Sequence, residues 1–125
     1  YDRDNVSVLN NYAYFLSLEG RDLNRALEMS GRAVELTDNN PTYLDTHAWV
    51  LFKLGRLDEA KRYLQQAVAF DGRKSPELLI HYGDVLAALG EKFMAETYWK
   101  KALENGYDPK EVELRIQRLK NPEQP

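Results

Sequence analysis

His47 and His81 are the only imidazoles in the chain, so any histidine-ligated metal site or imidazole proton relay would have to be built around them. A zinc site needs three or four converging ligands. Two histidines 34 residues apart, in a chain without cysteine, supply no such set. His81 and Asp84 stand three positions apart, close enough on a helix to share a hydrogen bond. No nucleophile or oxyanion motif lies beside them. The residue types therefore predict no metal, no cofactor and no catalytic residue. Asn5-Val6-Ser7 has the form of a glycosylation acceptor, but so short a triplet recurs by chance. The remaining chemistry is that of recognition: Trp49 and Phe52 beside Lys53, and amides at Asn10 and Asn11.

Composition narrows the partners. The 125 residues are enough for one folding unit with a buried core, and a net charge of −3 gives no reason to wrap a polyanion. Nucleic acid is not expected. Apolar runs such as Ala48 to Phe52 fall far short of the roughly 20 residues that a membrane span requires, so no membrane insertion is expected of this segment. Zero cysteines exclude disulfides and leave the compartment open. The chain starts at Tyr1 and not at Met, which reads as a segment cut from a longer protein whose targeting region lies elsewhere.

What positions these residues is a repeat. Gly20, Gly55 and Gly90 stand 35 residues apart, and the pairs Ala26/Ala33, Ala60/Ala67 and Ala95/Ala102 keep step with them. Self-similarity at this period marks a stacked helical array. Ahead of each glycine, apolar residues follow steps of three and four: Leu9, Tyr12, Ala13, Leu16; Leu44, His47, Ala48, Leu51; Leu79, Tyr82, Gly83, Leu86. These are single helical stripes. The small member, Ala13, Ala48 or Gly83, lets a neighbouring helix approach. His47 occupies the place of Tyr12 and Tyr82, which predicts a packed ring.

Each glycine should turn the chain at positive φ into a second helix, about Leu23 to Leu36, Leu57 to Phe70 and Lys92 to Asn105. Asn40-Pro41 and Ser75-Pro76 read as helix starts, an N-cap oxygen followed by proline. Asp108-Pro109-Lys110-Glu111 repeats the device and opens a seventh helix to about Lys120, with Val112, Ile116 and Leu119 as its buried stripe. The first turn carries one extra residue between Gly20 and Ala26. The charge cluster of Asp58, Glu59, Lys61 and Arg62 reads as a solvated outer face.

The pattern resembles the tetratricopeptide repeat (TPR), a helix-turn-helix unit of about 34 residues. Counting from Val6, Pro41 and Pro76, the family's small eighth residue is met by Ala13, Ala48 and Gly83. Its twentieth is met by Ala26, Ala60 and Ala95, and its twenty-seventh by Ala33, Ala67 and Ala102. The large twenty-fourth residue appears as Leu64 and Trp99 but as Ser30 in the first copy, and leucine replaces the family's tryptophan at the fourth position. The wording around these positions is similar to C-terminal repeats of bacterial, often envelope-associated, TPR proteins, which leaves the compartment between envelope and cytoplasm. The resemblance implies an all-α solenoid: one domain over residues 1–125, with repeats at about 6–40, 41–75 and 76–108. A capping helix at about 109–120 would close this right-handed superhelix.

The resemblance also implies a function. In this family the first helices line a concave groove that binds a peptide or protein segment without catalysis. The corresponding candidates are Asn10, Asn11, Tyr14, Asp45, Trp49, Phe52, Lys53, His81 and Asp84. The same rows include Ser7, Ser17, Leu18, Thr42, Thr46, Glu77, Ile80, Ala87 and Ala88. Tyr14, Trp49 and Asp84 are the ninth residues of their repeats and would form a ladder, with Asp84 orienting a basic group of the ligand. For Trp49, packing between helices is an equal alternative. One subgroup grips acidic chaperone tails with lysine, asparagine and arginine; the matching positions here are Asn10, Tyr14, Thr46, Glu77 and His81, none of them lysine or arginine. The other readings are a purely structural end of a longer solenoid and a regulatory module of an enzyme lying upstream. Val8, Tyr12 and Phe15 are expected on an unfinished N-terminal edge through which the segment self-associates weakly.

Overall fold

The computed structural model describes residues 5–71 and 75–121. These residues form seven α-helices and no strand: α1 (Val6–Glu19), α2 (Leu23–Leu36), α3 (Pro41–Lys53), α4 (Leu57–Phe70), α5 (Pro76–Ala88), α6 (Lys92–Glu104) and α7 (Pro109–Lys120). The fold is an all-α helical-repeat solenoid. Helices pair in order, α1 with α2, α3 with α4 and α5 with α6, and α7 packs on α6. Contacts group the chain into two compact units, residues 1–72 and 73–125.

Local chemistry sets the ends of these helices. Asn5 Oδ1 accepts from the Val8 amide, Asn40 Oδ1 from Thr42 and Asp108 Oδ1 from Lys110, each relieving one unpaired donor of a first turn. Ser75 departs from expectation. It precedes Pro76, but its side chain makes no capping bond, and its hydroxyl donates to Glu77 Oε2 at 3.3 Å.

Gly20, Gly55 and Gly90 have φ of 68°, 80° and 84°. The residue after each glycine returns its amide to the carbonyl five positions back: Arg21 to Leu16, Arg56 to Leu51 and Glu91 to Leu86. This closes the first helix of each pair with a left-handed residue at its end. The additional residue in the first turn is absorbed at Asp22, which adopts φ 48° just before α2.

In the first unit α3 seats on both α1 and α2. Leu9, Ala13 and Leu16 of α1, Ala26, Met29 and Ala33 of α2, and Val50 of α3 form one core, with Tyr43 and Leu54 of α3 packed at its margin. His47 is buried as the repeat alignment predicts. Its ring meets Tyr63 edge-on at 4.7 Å, as the equivalent Tyr82 meets Tyr98 at 4.6 Å in the second unit. Ser30, small where the later repeats carry Leu64 and Trp99, is fully buried and shares a 2.7 Å hydrogen bond with His47 Nδ1. A hydroxyl facing a ring nitrogen thus stands where the later repeats carry a large apolar side chain.

In the second unit Gly83 is small for a steric reason. A methyl group there would lie 2.5 Å from the Trp99 ring and 3.2 Å from the Ala95 carbonyl oxygen. The stripe on α7 is narrower than expected: Val112 is fully buried, whereas Ile116 and Leu119 are half-buried.

Candidate functional site

Helices α1 and α3 carry the candidates of the first unit. The buried stripe of α3 runs through Leu44, Ala48 and Leu51, and one residue further round lie Asp45, Trp49 and Phe52, all half-buried. The Trp49 and Phe52 rings stack at 4.8 Å with 26° between their planes. Lys53 Nζ lies 5.6 Å from the centre of the Trp49 ring, within range of a cation–π attraction. An amphipathic platform results: an aromatic stack with an ammonium at its side.

On α1 the equivalent row holds Asn10, half-buried, Asn11, exposed, and Tyr14, half-buried. Asn10 Oδ1 is buried and accepts no hydrogen bond among the described residues. Leaving such an acceptor unused costs roughly 1–3 kcal/mol, which an incoming donor would recover. Ser17 and Thr46, placed on the same rows by repeat position, are buried and turn their hydroxyls to the Tyr14 and Thr42 carbonyls. Ile80 is buried as well. These three present little to a ligand.

In the second unit Asp84 already holds a basic group of the chain. Its carboxylate accepts from Trp99 Nε1 at 3.0 Å and, in a two-pronged contact, from Arg115 Nε at 2.8 Å and Nη2 at 3.2 Å. Burial alone would lower the Arg115 pKa, but the hydrogen bond and charge of Asp84 outweigh it and raise the value above its ordinary position. The three side chains join α5, α6 and α7. Sequence reasoning placed Asp84 on the right helix and overlooked Arg115, whose signal lay in its being a cation beside Val112 on a helix that packs back on its own repeat. His81 is half-buried on α5. Among the described residues no group of three His, Asp or Glu side chains comes together to hold a metal ion, and no helix is long and apolar enough to cross a membrane.

Residues 42–73 match the sequence profile of the tetratricopeptide repeat. This stretch is a tetratricopeptide repeat. It is 34% identical over 65 residues to a TPR repeat-containing protein of Pseudomonas aeruginosa, a match covering 52% of this chain and 11% of that protein. The match thus spans about a tenth of the length of this curated relative. Solved structures share the fold at lower identity. The first TPR of Spaghetti (RPAP3), bound to the HSP90 peptide SRMEEVD, is 18% identical with a TM-score of 0.82, covering 96% of this chain and 94% of that one. Pseudomonas aeruginosa pilF is 23% identical with a TM-score of 0.75, covering 94% of this chain and 53% of that one.

Proposed function

We propose that this TPR segment is a non-catalytic protein-interaction module that takes a peptide or protein segment on the α1–α3 face. The observation that carries this reading is the half-buried Trp49–Phe52 stack with Lys53 beside it. Interface energy concentrates in a few rigid aromatic side chains, and this pair lies one residue round from the buried stripe of α3. Asn10 Oδ1 on α1, buried and with no hydrogen bond among the described residues, would gain a partner if the side chain turns toward a backbone or amide donor of the ligand. An apolar anchor on the stack and an acidic residue opposite Lys53 would complement the platform.

The peptide bound by the RPAP3 domain is an informative contrast. SRMEEVD is acidic and ends in a carboxylate. At the positions where the chaperone-tail subgroup of the family uses lysine, asparagine and arginine, this chain has Asn10, Tyr14, Thr46, Glu77 and His81. An acidic tail brought there would lose hydration without gaining a cationic partner. We therefore expect ligands of a different pattern.

Panning a random peptide library against the chain, followed by titration calorimetry on the selected peptides, tests the reading. Trp49→Ala is expected to weaken a selected peptide by about thirtyfold, about 2 kcal/mol, while lowering the melting temperature only slightly. SRMEEVD should not bind. A folded Trp49→Ala variant that binds the selected peptides unchanged would overturn the proposal. So would a loss of several kcal/mol of stability, which marks Trp49 as core packing.

A further inference from the structure

Only the third repeat carries a carboxylate at its ninth position, Asp84, where the others have Tyr14 and Trp49. Only that repeat has an indole at its twenty-fourth, Trp99, where Ser30 and Leu64 stand in the others. The two meet because Gly83 precedes Asp84. A methyl group at Gly83 would lie 2.5 Å from the Trp99 ring, so its absence admits the indole to α5. Trp99 is 3% exposed, and its ring nitrogen can only donate, so it needs an acceptor beside it. Asp84 Oδ1 supplies that acceptor at 3.0 Å. The carboxylate is therefore oriented by α5 and α6, with nothing required of α7.

Arg115 reaches this carboxylate side-on from α7, with Nε on Oδ1 at 2.8 Å and Nη2 on Oδ2 at 3.2 Å. Its remaining nitrogen, Nη1, stays with its own helix, on the Glu111 carbonyl and carboxylate at 3.3 Å each. The Tyr107 ring centre lies 5.8 Å from its Cζ. A planar fork matches the two oxygens of a carboxylate, which a lysine ammonium does not. The Asp84 and Arg115 side chains are 18% and 22% exposed, so solvent reaches the pair. The helix that brings Arg115 is lightly held. Val112 is its one buried residue, Ile116 and Leu119 are half-buried, and Leu114 is 44% exposed.

We propose that Asp84 and Trp99 form a binding site for a guanidinium group, and that Arg115 is its built-in occupant. An arginine side chain of a partner protein takes the site by displacing Arg115 and loosening α7. The tether sets the terms of that exchange. A group on a short linker competes at an effective concentration on the order of millimolar, so removing it strengthens external binding. The site lies in the second unit and uses neither Trp49 nor Lys53, so it and the aromatic platform can each fail alone.

Vacating the site tests this. Arg115→Ala removes the occupant and leaves Val112 in place. The chain has two tryptophans, so its proton–nitrogen NMR spectrum holds two indole N–H signals: Trp99 reports on Asp84, and Trp49 is the reference. Millimolar ethylguanidinium is expected to shift the Trp99 signal of Arg115→Ala saturably, leave that of Trp49 in place and raise the melting temperature. Ethylammonium should do much less, and adding Asp84→Asn should abolish the response. A glycine peptide with one central arginine is expected to bind Arg115→Ala about tenfold more tightly than the native chain, and its lysine counterpart should bind neither. If Arg115→Ala does not fold, Arg115→Met, which keeps the aliphatic stem, takes its place in every titration. No saturable Trp99 shift in a folded variant overturns the proposal, as does an equal response to ethylammonium, which marks a bare charge effect. Equal affinity of the arginine peptide for the native chain and the variant also overturns it, because Arg115 is then no competitor. So does a variant that takes ethylguanidinium but not the peptide, because the site is then closed to a partner's side chain.

Discussion

Two glycines with different duties show how one residue type answers to separate forces. Gly55 sits at φ 80° with nothing within 4 Å of an added methyl group, so only the backbone constrains it. Gly83 lies inside α5 at ordinary helical φ, and there the neighbouring Trp99 ring supplies the constraint. Gly55→Ala is expected to cost about 1–2 kcal/mol of left-handed backbone strain, read from urea unfolding, with side-chain packing unchanged. Gly83→Ala should cost about 1–3 kcal/mol by overpacking, and reducing Trp99 to a smaller apolar residue should offset part of that loss. Equal responses of both variants to the smaller side chain at Trp99 would contradict the assignment.

His47 adds a pH dependence at the same scale. Burial lowers its pKa first, and the nearby Arg56 charge lowers it further, against a smaller opposing effect of Glu59. The folded protein therefore holds this imidazole neutral below the pH at which the unfolded chain protonates it, near 6.5. The unfolded state then binds the extra proton, so this contribution to stability is full above about pH 6.5 and shrinks as the pH falls below it. Melting temperature measured from pH 7.5 down to 5.5 should fall more steeply for the native chain than for His47→Tyr, which installs the ring found at Tyr82. Parallel curves would show that His47 does not titrate between the two states.

Among the helices, α7 depends on two different attachments. Val112 contributes apolar burial worth about 1.5–3 kcal/mol. Arg115 contributes the two-pronged contact with Asp84, formed between side chains that are 22% and 18% exposed. Solvent screens such a pair less than a surface pair, and removing the cation leaves the carboxylate with Trp99 alone. Arg115→Met, which keeps the aliphatic stem, is expected to destabilise the chain by about 2 kcal/mol and to speed amide exchange in α7 more than in α1 to α4. Exchange that rises uniformly across all helices would deny a specific tether. Deleting residues after Asp108 removes both attachments and should exceed the single substitution. The half-burial of Ile116 and Leu119 places the main apolar hold at the start of the helix.

Over the whole molecule, legibility followed the reach of each interaction. Helix ends, glycine turns and the period of small residues depend on contacts within a few residues of one another, and a pattern repeated three times states them redundantly. The seven helices and their pairing could therefore be read from the order of residues, as could the burial of His47 and the need for a small residue at Gly83. Partner choice between distant side chains could not. Asp84 and Arg115 stand 31 positions apart and Ser30 and His47 stand 17 apart, and their meeting depends on helix packing and side-chain direction. The same holds for Trp49: a tryptophan at helical spacing suits either a core or a ligand face, and the half-buried stack on Phe52 beside Lys53 became visible only with the helices packed. By itself the sequence determined the repeat and the helix boundaries, because periodic local rules carry that information. Tertiary structure decided which polar and aromatic groups are already committed to one another and which stay partly open to solvent, because that depends on surfaces assembled from separate helices.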